Sequence, residues 1–252
     1  MSTTLPLLLQ IIAACLLGGL LSVFAAFAVM YGLPRRWLMF AVSFAAGLML
    51  ANSFLHLLPE AMESGLTPDQ VFPLLLGGIL SFFVLERFTL WRHSHHHDGC
   101  PHAAEQSRQA PLILIGDAFH NFTDGILLAA AFLADPMLGW STTLAVIAHE
   151  VPQEAGDFAL LLAAGWNRGR ALFWNGISSL AAVAGGVVGF FVLAAAQTWV
   201  PTALTLAAAG FIYIAVADLL PRLRGEQVAI PLHMILIGCG VAVIVLGNSH
   251  SH

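Results

Sequence analysis

The stretch PLILIGDAFHNFTDGILLAAAFL, residues 111–133, decides how the rest of the chain is interpreted. It is long and apolar enough to cross a bilayer as one helix, which needs about 20 residues. Its middle nevertheless carries His120, Asn121 and Asp124. An ionisable group at the centre of a membrane costs roughly 2.5–3.5 kcal/mol on insertion scales, so such groups indicate a function.

The same combination recurs in a second apolar stretch, residues 139–164, which carries His149, Glu150 and Gln153. In both stretches a histidine is followed by a polar or acidic neighbour, and by an oxygen ligand four residues later. These side-chain types are the ligands of divalent metal ions. Metal handling within a membrane is therefore the first hypothesis.

The composition predicts an all-α polytopic membrane protein. Hydrophobic residues make up 59% of the chain and charged residues only 9%, whereas about 25% of a soluble domain is charged. Eight apolar stretches are each long enough to form a membrane helix. They are residues 6–31, 37–58, 71–91, 111–133, 139–164, 170–195, 201–221 and 230–247. Because the connectors are short, we expect one domain over residues 1–252.

The arginines predict the orientation of these helices. The chain has nine basic residues, all of them arginines. Arg87 lies near the end of predicted helix three, and the other eight follow predicted helices one, three, five or seven. Basic residues stay on the cytoplasmic side, so both termini should face outward. No basic residue precedes the first helix, which we therefore expect to be retained rather than cleaved as a signal peptide. The longest predicted loop, at about 92–110, would be cytoplasmic.

The two motifs should meet near the middle of the membrane. His120 lies nine positions after Pro111, and His149 lies ten positions after Gly139, which is about 13 and 15 Å of helix. The two helices enter from opposite sides of a core about 30 Å thick, so both histidines reach its middle. Residues four apart share a helix face.

This arrangement suggests that one ion could lie between the histidines and a second between Asn121 and Glu150, with Asp124 bridging the two. Imidazole and carboxylate ligands suit zinc, iron, manganese or cadmium. The alternative is a polar contact between two helices, without metal.

These motifs resemble those of the ZIP (Zrt/Irt-like) family of divalent metal transporters, and most closely the subfamily with HNFTDG in helix four and HExPHExGD in helix five. The first motif is complete at residues 120–125. The second occupies residues 149–157, with Gln153 in place of the second histidine. Residues 56–60 (HLLPE) and 211–221 (FIYIAVADLLP) resemble helices two and seven of that group.

The resemblance implies a midplane binuclear metal centre. The first ion would be bound by His120, Asp124 and His149, and the second by Asn121, Asp124 and Glu150. Gln153 would occupy a shared-ligand position, where it keeps an oxygen donor but loses charge. Many family members have a further carboxylate on helix six, where this chain has Asn175, Ser178 and Ser179. The resemblance also suggests a homodimer.

Other polar residues are candidates for a transport path. His56 and Glu60 lie at the predicted outer end of helix two, and Asp117, Asp157 and Asp218 lie toward the cytoplasm. The alternative is that they are helix-end residues or partners of arginines.

The loop between helices three and four is rich in histidine: His93, His95, His96, His97 and His102. It could collect or sense metal ions, or it could be a solvated linker. Its spacing is not that of a structural zinc module.

Three functions fit these features. The first is a transporter that moves divalent metal, zinc before iron, manganese or cadmium, into the cytoplasm. The second is an intramembrane metalloenzyme, since His149-Glu150 begins like the HExxH of zinc proteases; Gln153 stands where that motif has its second histidine. The third is a metal sensor without transport. We expect the transporter rather than an enzyme, in a bacterial cytoplasmic (inner) membrane, with lipid and metal ions but no nucleic acid as partners.

Overall fold

The computed structural model describes residues 4–30, 35–94, 103–223 and 230–248. These residues are helical almost throughout, and none of them lies in a β-strand. The α-helices are α1 (Thr4–Met30), α2 (Arg35–Asn52), α3 (Leu58–Glu63), α4 (Pro68–Ser94), α5 (Ala103–Ala134), α6 (Pro136–Ala163), α7 (Arg168–Ser179), α8 (Ala181–Ala195), α9 (Val200–Tyr213), α10 (Leu220–Arg222) and α11 (Ile230–Asn248). Two π turns, Ser53–Leu57 and Ile214–Leu219, and a 3₁₀ turn, Gln197–Trp199, continue these helices.

Six helical runs in the described part of the chain are long and apolar enough to cross a membrane. They are Pro6–Phe24, Arg36–Glu63, Pro68–Leu85, Arg168–Ala195, Gln197–Arg222 and Ile230–Gly247. The chain is therefore an all-α polytopic membrane protein, as predicted. Helices α5 and α6, which carry the polar motifs, are not among the six. That they also cross, giving eight helices with outward termini, remains a prediction.

Two boundaries differ from those predicted. Helix α4 extends to Ser94 and α5 begins at Ala103, so the connector is shorter than the predicted loop at 92–110. Residues 103–110 are alanine, glutamate, glutamine and arginine apart from Ser107. These four residue types are good helix formers, so the helix starts before the apolar stretch does. The predicted helix at 170–195 is interrupted at Leu180, between α7 and α8.

Each π turn is followed by a proline. Leu58 N–H donates to Ser53 O, and Leu220 N–H donates to Ala215 O, five residues back in each case. Pro59 and Pro221 cannot donate a backbone hydrogen bond, which loosens the helix at this point. The turns place His56 and Asp218 at matching positions in the sequences HLLP and DLLP.

The helices pack in two groups. Helices α1, α5, α6, α7 and α8 form the first group, which is held together mainly by contacts of α5 with α6 and α8 and of α1 with α6. Helices α2, α4, α9 and α11 form the second group, mainly through α2 with α11 and α4 with α9. Contacts of α6 with α2, and of α5 with α9, join the groups. The HNFTDG segment is fixed by the crossing of α5 and α8. There a side chain added to Gly185 would overlap the backbone of Phe122, so the absence of a side chain at Gly185 permits the close approach of the two helices.

Large apolar side chains face outward. Phe72, Leu76 and Leu80 on α4, and Met234 and Leu246 on α11, are more than half exposed. Such faces are stable against lipid tails rather than water, which agrees with the membrane assignment.

Candidate metal centre

Four of the predicted ligands converge between α5 and α6. His120 Nε2 lies 3.3 Å from His149 Nε2. Asp124 Oδ2 lies 3.1 Å from His149 Nε2 and 3.7 Å from His120 Nε2. Glu150 Oε1 lies 3.6 and 3.5 Å from the same two nitrogens. We call these four residues the histidine cluster; their ligand atoms all lie within 4.8 Å of one another.

Five of the six pairwise separations lie near those around a tetrahedral zinc ion. Zinc binds imidazole nitrogen and carboxylate oxygen at about 2.0–2.2 Å, so two ligand atoms of a tetrahedral site are about 3.3–3.6 Å apart. The distances of 3.1–3.7 Å in the histidine cluster lie around that range. The four side chains are therefore arranged to share one small cation.

The backbone of α6 sets the orientation of His149. Its Nδ1 lies 3.1 Å from Ala145 O one turn earlier, and a carbonyl can only accept a hydrogen bond. This contact assigns the proton to Nδ1 and leaves the lone pair of Nε2 facing the cluster, as in metal-bound histidines. The ring of Phe211 from α9 packs beside His149, at a centroid distance of 5.9 Å.

The carboxylates of the cluster lack hydrogen-bond donors. Glu150 is 1% exposed and Asp124 3% exposed. Both oxygens of Glu150, and Oδ2 of Asp124, have no hydrogen-bond partner among the residues that the structure describes. Buried charges are normally paired or coordinate metal ions. A divalent cation would neutralise the two carboxylates.

The other two predicted ligands lie beside the cluster. The amide of Asn121 donates to Asp117 Oδ1 at 3.0 Å. Gln153 lies one turn after His149 on α6 and is only half-buried. The structure thus brings four of the six predicted ligands together, and binding of a second ion through Asn121 remains a prediction.

Comparison with known proteins decides the family. The family model described as ZIP Zinc transporter matches residues 3–110 and 91–247, which together are nearly the whole chain. The chain belongs to the ZIP family. It is 34% identical to Zinc transporter ZIP13 of Pongo abelii over 81% of the chain, and 32% identical to Zinc transporter ZIP4 of Homo sapiens over 72% of the chain.

The relatives are longer than this ZIP chain. The matched parts cover 65% of the ZIP13 protein and 38% of the ZIP4 protein. Zinc transporter YKE4 of Saccharomyces cerevisiae is 27% identical over 83% of the chain, and the match covers 70% of that protein. These relatives are eukaryotic, so they give no support to the expected bacterial inner membrane.

The predicted entrance residues of the ZIP chain, His56 and Glu60, lie toward the end of the bundle that contains the turn between α5 and α6. His56 Nδ1 lies 3.3 Å from Ser141 Oγ, and Ser141 is two turns before His149 on α6. The Nε2 atom of His56 is buried and has no partner among the described residues. Glu60 accepts a hydrogen bond from Ser64 at 2.9 Å.

The predicted exit residues lie toward the opposite end of the bundle. Asp117 is buried and accepts a hydrogen bond from Ser178 of α7. Asp157 is half-buried. Asp218 is paired with Arg222 at 2.9 and 2.7 Å and is half-buried, which favours the alternative of an arginine partner for this residue.

The histidine-rich connector is mostly outside the described residues. His95, His96, His97 and His102 lie there, and His93 is in the last turn of α4, where only the backbone is described. Its proposed role in collecting metal stays a prediction.

Two features of this ZIP chain were not predicted. Asn52 of α2 donates to Thr142 Oγ1 at 3.1 Å and accepts from Ser141 Oγ at 3.1 Å, which joins the two helix groups. Glu154 is fully buried and accepts a hydrogen bond from Ser179 at 2.7 Å. For Asn52 and for Glu154, the available sequence signal was a polar residue within an apolar helix.

Proposed function

We propose that this chain transports divalent metal ions across the membrane into the cytoplasm. Zinc is the first substrate, with iron, manganese and cadmium as alternatives. The observation that supports this proposal is the convergence of two imidazole nitrogens and two unpartnered carboxylate oxygens at tetrahedral separations. Membership of the ZIP family, whose matched relatives are named zinc transporters, supports the same substrate.

The packing supports a carrier that exposes this site to each side in turn. All four ligands lie on α5 and α6, in one helix group, while Phe211 of α9 in the other group packs against His149. Sliding of one group along the other would remove this cover from the ligands without separating them. His56 and Glu60 would collect ions at the entrance, and Asp117, Asp157 and Asp218 would guide them to the exit.

A binuclear centre is part of this proposal. A second ion would be held by Asn121, Asp124 and Glu150 beside the first. In the structure the Asn121 amide donates to Asp117, so its carbonyl oxygen, not its nitrogen, would be the ligand. We expect the first ion to be bound more tightly, because both imidazoles belong to it. We further propose a single transport domain that works as a homodimer in lipid.

The metalloenzyme alternative is less well supported. A catalytic zinc site keeps one position open for water, whereas four protein atoms converge here. Glu150 Oε1 is 3.5–3.6 Å from both histidine nitrogens, which suits a ligand better than a general base. The matched relatives are named transporters.

The test is metal uptake into proteoliposomes, with zinc, iron, manganese and cadmium offered separately. We expect saturable uptake by the native chain and none by His120→Ala or Asp124→Ala. Asp69→Asn removes one exposed carboxylate on α4 and should leave uptake unchanged. Uptake that persists in both cluster variants, or a native chain that binds metal without moving it, would contradict the proposal.

A further inference from the structure

A second group of buried polar side chains lies next to the histidine cluster. It consists of Asp117 on α5, Glu154 on α6, and Asn175, Ser178 and Ser179 on α7, and we call it the oxygen cluster. Each of these residues is at most 5% exposed. The proposed function assigns no role to Glu154 or to the three residues of α7.

Hydrogen bonds tie the oxygen cluster together across three helices. Ser179 Oγ donates to Glu154 Oε1 at 2.7 Å, and Ser178 Oγ donates to Asp117 Oδ2. Asn175 Nδ2 lies 3.5 Å from the backbone oxygen of Glu154. The amide group of Asn175 therefore lies against α6 at Glu154.

The cluster contains more acceptors than donors, although Asn121 Nδ2 also donates to Asp117 Oδ1 at 3.0 Å, so both oxygens of Asp117 have a donor. Glu154 Oε2 and Asn175 Oδ1 have no hydrogen-bond partner among the described residues. The hydroxyls of Ser178 and Ser179 also lie 2.8 and 3.0 Å from Asn175 O. A hydroxyl has only one proton to donate, so neither serine can satisfy the carbonyl and a carboxylate at once.

Positive charge is also scarce there. Among the described residues, no arginine or histidine lies within ion-pair distance of Glu154 or Asp117, and Arg222 is paired with Asp218 instead. Buried carboxylates without enough donors are stabilised by protonation or by a counter-charge. A cation would provide it and would also occupy the unpartnered oxygens.

We propose that the oxygen cluster is a second, weaker site for a divalent cation, which receives the ion after it leaves the histidine cluster. This inference rests on the proposed transport function. Asp117 precedes His120 by three residues on α5, and Glu154 follows Glu150 by four on the antiparallel α6. Both steps lead the same way, about 5–6 Å along the helices, toward the end where α7 begins.

The ligand chemistry explains why this site would release its ion. Carboxylate, amide and hydroxyl oxygens suit hard cations such as manganese and magnesium, whereas imidazole nitrogen favours zinc. Zinc that moves from the histidine cluster would exchange two nitrogen ligands for oxygens, which resemble water. The oxygen cluster would thus hold zinc more loosely and manganese comparatively well.

The test uses Mn²⁺ as the probe on the purified full chain, in a background of His120→Ala with His149→Ala. Equilibrium dialysis should show a remaining Mn²⁺ site in this double variant. Because Asn121, Asp124 and Glu150 are retained in it, a change at Glu154 is needed to assign the site to the oxygen cluster. Adding Glu154→Gln should weaken Mn²⁺ binding about tenfold or more, because affinity for hard cations depends on the number of charged ligands. Adding Asp69→Asn, the exposed control, should change nothing.

A gain-of-binding variant keeps the test decisive if Glu154→Gln does not fold. Asn175→Asp places a carboxylate where an amide oxygen lacks a partner, and it should tighten Mn²⁺ binding about tenfold. The inference would be overturned if the double variant has no Mn²⁺ site. It would also be overturned if neither Glu154→Gln nor Asn175→Asp changes the Mn²⁺ affinity of the double variant. If Glu154→Gln does not fold, the Asn175→Asp result decides by itself: Mn²⁺ binding that is not tightened would overturn the inference.

Uptake separates this inference from the proposed function. If His120→Ala keeps zinc uptake, the proposed function fails. If His120→Ala abolishes uptake while Glu154→Gln transports at the native rate, only the oxygen cluster as a step in transport fails. We expect Glu154→Gln to lower the rate of zinc uptake about tenfold.

Discussion

Two buried histidines of this chain meet polar partners in different ways. His149 of α6 has two unpartnered carboxylates and a second imidazole within 3.6 Å. His233 of α11 has one partner, the hydroxyl of Ser43 on α2 at 2.7 Å, with the ring of Phe40 beside it. The difference teaches that burial alone does not mark a metal ligand. Charge and convergence do: His233 meets one neutral hydroxyl, and its Nε2 has no partner among the described residues, whereas the two carboxylates that converge on His149 favour a cation.

The largest effect should follow from removal of the central imidazole. His149→Ala deletes one of four converging ligands, so zinc affinity should fall by more than the tenfold to hundredfold typical of losing an outer-shell partner. Zinc binding to purified protein, measured by competition with a chromophoric chelator, checks this. Native-like gel filtration would show that the fold is intact. Unchanged affinity in a folded variant would remove His149 from the site.

An intermediate effect should follow from neutralising Glu150. Glu150→Gln keeps the shape and one oxygen donor but removes a charge, so we expect zinc affinity to fall about tenfold to a hundredfold. Uptake at subsaturating zinc should fall in parallel. Retention of native zinc affinity together with loss of turnover on a substrate would instead favour the general base of an enzyme.

The smallest effect on transport should come from the second histidine. Ser43→Ala removes the hydroxyl that contacts His233, and hydrogen bonds between membrane helices are worth about 0.6 kcal/mol on average. A slightly lower melting temperature in detergent, with native zinc affinity and uptake, is the expected outcome. Loss of zinc binding in Ser43→Ala would contradict the distinction between His149 as a metal ligand and His233 as a helix-packing residue.

The central helices and four ligands could be predicted because each inference rested on a regular geometry. Apolar length indicated membrane helices, and the rise per residue placed His120 and His149 at the same depth. The spacing of four residues then aligned Asp124 with His120. Glu150, assigned from the sequence to a second ion with Asn121, also lies within the histidine cluster.

The remaining features depend on neighbours that the motifs do not specify. Asn121 turns to Asp117, and Asp117 is held by Ser178 of α7, a helix far along the chain. The π turn that carries His56 depends on a local change in helix winding before Pro59. Neither a side-chain rotamer nor a change in winding follows from helical periodicity.

The central claim is that the histidine cluster binds the transported ion through two nitrogens and two oxygens. Its most direct test is zinc X-ray absorption spectroscopy of the protein with one equivalent of zinc. To exclude any zinc bound by the histidines of the connector, the sample should carry alanine at positions 93, 95, 96, 97 and 102. We predict a first shell of four nitrogen and oxygen atoms at about 2.0–2.2 Å, two of them from imidazole, with one imidazole lost in His149→Ala. A shell without imidazole, or one that His149→Ala leaves unchanged, would contradict the account.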